Sequence, residues 1–159
     1  LKKILYIISR IVPYKPNISE LSRQIGISRE TVVKYLYFLH KAEITLSLST
    51  DTFGINALNK PDKIYLNNTN LMYALSNHDA TNIGNLRETF FYSQVKTKHQ
   101  VNYTETGDFI VNDTFTFEIG GKNKTTRQIQ GLQNAFLVKD DIEYGTGVTI
   151  PLWLFGFLY

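Results

Sequence analysis

The chain has 159 residues, 43% of them hydrophobic, enough for one mid-sized domain or two small ones with a proper core, which excludes a disordered tail. Cysteine is absent, so disulfide frameworks and thiolate metal sites are excluded, and that usage fits an intracellular, cytoplasmic protein. The net charge of +3 permits a nucleic-acid partner without demanding one.

Leu1-Lys2-Lys3 opens the chain already inside a helical period, as expected of a C-terminal fragment of something longer. Ile4, Leu5, Ile8, Ile11 and Val12 fall on one helical face, and Pro13 and Pro16 end it. Ser9 and Arg10 interrupt the apolar run, so no signal peptide is read. Asn17-Ile18-Ser19-Glu20 is a capping-box pattern, opening a helix that carries Leu21 and Ile25 and ends at Gly26. Ser28 caps the next helix, 29–41, whose stripe is Val32, Tyr35, Leu36 and Leu39. Two short helices joined by a turn containing Gly make a helix-turn-helix. Ile44–Leu48 and Lys63–Leu66 read as partner strands around a loop from Ser49 to Pro61. Three helices and a two-stranded ribbon predict a winged helix over residues 1–69. On its exposed side Arg29, Lys34, Tyr37, Lys41 and Lys63 suit DNA phosphate contact. The alternative, a protein-packing module that keeps its charges in water, stays open.

The second domain is drawn over 70–159, with a short helix at 70–77 and a polar loop from Asn77 to Asn82. A helix follows at 85–96, with Leu86, Phe90 and Phe91 inward and Arg87 and Lys96 outward. After a strand near Val101–Tyr103 comes a hairpin. Phe109 and Val111 alternate on its first strand, Phe115 and Phe117 on its second, around an Asn112-Asp113 turn. A helix is expected from Gln128 to Ala135, then a strand at Phe136–Val138, then turns at Asp140-Asp141 and Gly145–Gly147. The apolar run 150–159 is about half a membrane span and reads as a buried last strand, so no membrane partner is expected. The order is α/β or α+β.

Gly120-Gly121-Lys122 fails as a phosphate loop, because Thr116 and Asn123 stand where Gly and Ser or Thr are needed; no nucleotide site is expected. His40, His78 and His99 lack ligand spacing and read as solvated surface positions; no Gly-x-Ser-x-Gly elbow exists. The hairpin holds Asp108 at the head of one strand and Glu118 at the end of the next, followed by a lysine. Such a pair could hold a hard divalent ion, or could simply be two solvated acids.

Five segments carry a resemblance across nearly the whole chain. They are Ser28-Arg29-Glu30-Thr31-Val32 with Tyr35-Leu36, Lys63 to Leu71, Gly84-Asn85-Leu86-Arg87-Glu88, Gly107-Asp108-Phe109-Ile110, and Phe117-Glu118-Ile119-Gly120-Gly121-Lys122. The chain resembles the C-terminal region of predicted prokaryotic AAA+ superfamily ATPases, in which a winged helix precedes a domain of unknown function. That last domain resembles the PD-(D/E)XK restriction-endonuclease fold, a mixed-sheet domain. The resemblance implies a catalytic set of Glu88, Asp108, Glu118 and Lys122, with Glu88, Asp108 and Glu118 holding Mg2+ or Mn2+ and the lysine serving the attacking water. It departs in one respect: Gly120 stands where the Glu-x-Lys pattern has its lysine, and the nearest lysine is Lys122.

The expected function is a non-catalytic regulatory and recognition module of such an ATPase, contacting DNA or a protein, with the ATPase domain of the same protein as a partner. A metal-dependent DNA nuclease and a winged-helix transcriptional regulator are the alternatives.

Overall fold

The computed structural model describes residues 1–50, 61–75 and 82–158. The chain divides into two units, Leu1–Thr81 and Asn82–Tyr159. In the first, local capping sets the helices α1 (Lys2–Arg10), α2 (Ile18–Ile25) and α3 (Arg29–Lys41). The Asn17 side chain accepts from the Glu20 N–H at 3.1 Å, and Ser28 accepts from the Thr31 N–H at 3.2 Å. Each satisfies a first-turn donor that the helix itself leaves unpaired. The other half of the expected box is altered, since the Glu20 carboxylate takes Gln24 Nε2 at 3.3 Å. Gly26 ends α2 in the left-handed conformation, φ 75°. Helix α1 stops at Arg10, so the chain leaves helical phase before Ile11. Ile4, Ile8 and Val12 are buried while Ile11, expected inward, is exposed.

Strand β1 (Thr45–Leu48) pairs antiparallel with β2 (Lys63–Leu66), Thr45 opposite Leu66. Residues 51–60 of the expected loop lie outside the described residues. Helix α4 (Thr69–Leu75) buries Met72 and packs on α1 and β2. It therefore goes with the first unit, and the division drawn from sequence after residue 69 moves to 81/82. Its expected last residues and the polar loop with His78 lie outside the described residues, up to Thr81.

The second unit opens on α5 (Ile83–Val95), capped by Asn82, whose side chain accepts from the Gly84 N–H at 2.8 Å. A five-stranded sheet follows in the order β3 (Val101–Asn102), β4 (Phe109–Val111), β5 (Phe115–Gly120), β6 (Ala135–Lys139), β7 (Thr149–Pro151). The first three strands run antiparallel, and β5, β6 and β7 run parallel. Asn112 and Asp113 both have positive φ, 51° and 53°, and with Thr114 they form the turn between the paired Val111 and Phe115. The ring of Phe91 on α5 lies 5.3 Å from Phe109 and 5.1 Å from Phe117, and Phe117 lies 5.6 Å from Phe136. Helix α5 therefore covers the sheet face that carries these three phenylalanines. The opposite face holds a smaller core of Ile129, Ala135 and Leu137.

Two expectations for this unit are corrected. The helix expected from Gln128 to Ala135 is a short 3-10 turn, Thr126–Ile129; Asn134 has φ 54°, and Ala135 already opens β6. The apolar tail is strand only through Pro151, which lacks the N–H needed to extend a ladder. Beyond it Leu152–Phe157 forms a second 3-10 turn that buries Leu152 but exposes Trp153, Leu154 and Phe157. Among the described residues no helix is long and apolar enough to cross a membrane. The architecture is mixed, helices with two sheets.

Candidate functional site

Two charged regions, one in each unit, answer to the sequence expectations. On α3 the inner stripe of Val32, Leu36 and Leu39 is buried, which turns Arg29, Lys34, Tyr37, Phe38 and Lys41 to solvent. Arg29, Lys34 and Tyr37 line one open groove of about 910 Å³ with Asn17, Ile18, Glu30 and Val33. Lys34 Nζ stands 5.7 Å from the ring centre of Phe38, and Lys41 Nζ 5.9 Å from that of Tyr37. Each lysine is one helical turn from its ring, the spacing that brings side chains together on a helix. Lys63, grouped with these residues from sequence, is half-buried on β2 and does not line the groove.

The second region lies at the carboxyl end of β5. Side chains alternate along a strand, so Phe117 faces α5 and Glu118 faces the other way. Glu118 is fully buried there, and its carboxylate is ion-paired by Lys124 Nζ. The same ammonium donates to Gln128 Oε1 at 2.7 Å. Asp108, one step beyond the Phe109–Phe117 pair, accepts the Ile119 N–H at 2.7 Å. Its own N–H donates to the Phe117 carbonyl at 2.9 Å, which ties Asp108 to the strand that carries Glu118.

The paired glycines explain how two cations reach this strand end. A Cβ at Gly120 would lie 2.5 Å from Lys124 Cβ and Cγ, so the lysine stem occupies the space a side chain would need. A Cβ at Gly121 would lie 2.9 Å from Arg87 Nη1. The Arg87 side chain, expected outward, is only 15% exposed; its Nε donates to Asp140 at 2.9 Å and its Nη2 to Asp141 at 3.2 Å. The lysine engaged by Glu118 is thus Lys124. Lys122, named in the catalytic set by the resemblance, is exposed, and its carbonyl accepts from Lys139 Nζ at 3.0 Å.

Glu88 stands three residues before Phe91 on α5, the helix that covers the face opposite Glu118. Asp108 immediately precedes β4, Glu118 lies on the neighbouring β5, and Glu88 stands on α5. Among the described residues no three His, Asp or Glu side chains form a group that could hold a metal ion. Mg2+ or Mn2+ takes several oxygen ligands, and the two carboxylates at this strand end already have protein partners. One of the two adjacent carboxylates carries an ammonium, and the other holds a peptide N–H. Of the histidines, His99 is exposed, with Nδ1 3.2 Å from Asn112 Nδ2, and His40 is half-buried.

Sequence reading missed Phe38, Lys124, Gln128 and the ion-pairing of Arg87. The first three carried a local signal, since Lys34–Phe38 and Lys124–Gln128 are both four residues apart. Compared with known proteins, the chain matches no family model, no curated protein and no solved structure.

Proposed function

We propose that this chain is a nucleic-acid recognition module, a winged helix joined to a nuclease-like domain that does not cut. The observation that carries the reading is the outer face of α3, where Arg29, Lys34 and Lys41 stand in solvent beside exposed rings. Charge distribution supports it. Leu1–Thr81 has ten Lys and Arg against six Asp and Glu, a net +4, while Asn82–Tyr159 has seven against eight, a net −1. Basic clusters of this kind contact phosphates and fix register on a nucleic acid. The helices α1 to α3 followed by the β1–β2 ribbon have the element order of a winged helix. In the second unit, α5 followed by an antiparallel β3–β4–β5 and a parallel β6 supports the nuclease-like reading. Gly120, standing where the resemblance places its lysine, supports the absence of cutting. By the resemblance of its sequence segments, the module belongs to the C-terminal region of an AAA+ superfamily ATPase, whose hydrolysis rate should respond to DNA.

Binding of labelled DNA over a range of salt concentrations tests the reading. Arg29→Ala with Lys34→Ala should weaken binding and lower the salt slope by about one for each phosphate that is no longer neutralised. Folding stability should stay within about 0.5 kcal/mol, as for exposed substitutions. An unchanged slope would remove this helix from the interface. Incubation with DNA and magnesium or manganese should give no cleavage, and cleavage abolished by Glu118→Ala would establish the nuclease alternative instead.

A further inference from the structure

We infer that the outer face of α3 takes unpaired nucleobases, so that the preferred ligand is a single strand rather than a duplex. This rests on the nucleic-acid reading above and names its substrate class. Tyr37 and Phe38 are 38% and 45% exposed, and their ring centres lie 6.0 Å apart. The fold has no use for them in its core, because Val32, Leu36 and Leu39 already supply the buried stripe of α3. Single exposed apolar residues are ordinary on protein surfaces. Two adjacent rings, each with a lysine one turn away, form a patch of a particular kind.

A duplex gives such rings little to hold. Its base faces are stacked on one another, and a helix in the major groove reads base edges through bidentate polar side chains such as Arg, Asn and Gln. In a single strand the base faces are open, and an aromatic ring can stack on any of them. The cations complete the match. Lys34 and Lys41 now lie over Phe38 and Tyr37, and each can exchange its ring for a phosphate when a base takes its place. Arg29, Lys34 and Tyr37 share the groove beside α2 with Glu30, which gives the strand a concave track with two cations against one carboxylate.

The test measures anisotropy of a fluorescein-labelled oligothymidylate and of a mixed-sequence duplex of the same length, using the full chain. The single strand should bind about tenfold tighter or better. Tyr37→Leu and Phe38→Leu, which keep apolar bulk but remove the ring face, should each weaken it by about tenfold. Their salt slope and thermal unfolding should not change, whereas Lys34→Ala should lower the slope. Duplex binding as tight as single-strand binding, or Leu variants that bind the single strand like the parent, overturns the inference while leaving the nucleic-acid reading in place. Binding of neither ligand overturns both.

Discussion

The two charged regions of this chain use similar side chains to opposite ends. On α3 the cations stand in water beside neighbouring rings, and Leu36 and Leu39 on the inner face do the packing. At the end of β5 two cations are matched: Lys124 to Glu118 and Gln128, Arg87 to Asp140 and Asp141. Exposed charges contribute little to stability and remain available to a ligand. Charges taken out of water are fixed by their partners, because an unmatched one would be costly. A cluster of acids and lysines is therefore no sign of chemistry until the partners of each group are known.

The comparison can be broken most forcefully at Lys124. Lys124→Met leaves the Glu118 carboxylate buried without its cation and should cost about 3–5 kcal/mol in a urea melt. Glu118→Leu combined with Lys124→Met should recover most of that loss; failure to recover would mean that Lys124 acts by packing rather than charge. Leu36→Ala should cost about 2–5 kcal/mol as a large-to-small core change. A loss below about 0.5 kcal/mol, the range of surface positions, would reverse the assigned inner and outer faces of α3. Gly120→Ala should cost about 1–3 kcal/mol, because the new methyl collides with the Lys124 stem. Its effect should shrink in a Glu118→Leu, Lys124→Gly background, which removes the Lys124 Cβ and stem.

The smallest effect is a pH dependence. Burial pushes the Tyr92 phenol up from its usual 10.0. The folded state then holds that proton more tightly than the unfolded chain, so its contribution is complete below pH 10 and is lost as pH rises further. The decline should be at most about 1.4 kcal/mol per pH unit and should flatten in Tyr92→Phe.

Local signals in the sequence were legible where a few neighbouring residues decide the outcome. Asn17, Ser28 and Gly26 bounded α2 and α3, and Asn112-Asp113 marked the hairpin turn. The third helix's stripe correctly separated Leu36 from Tyr37. What could not be read depends on how distant segments return. Lys124 lies farther along the chain from Glu118 than Lys122 does, yet the Lys124 N–H bonds the Gly121 carbonyl at 2.9 Å and the turn folds its stem over Gly120. Arg87 looks like an outward residue on its helix, and Asp140 and Asp141, more than fifty positions later, hold it in. Which sheet face α5 would cover was fixed by its contact with Phe109 and Phe117, not by the helical pattern itself.

The ordering of strands in the second unit has a consequence for self-association. The longest strand, β5, is interior, while the margins are β3, two residues long, and β7, which ends at Pro151. Unpaired N–H and C=O rows at a sheet margin are what another chain would need as a template, and short or proline-ended margins offer almost none. On β3 the Asn102 amide donates to Asp113 at 3.0 Å, tying that margin to the hairpin tip. The sheet is thereby guarded against growth by strand addition, and a protein that recognises this unit must grip its side chains rather than lengthen its ladder.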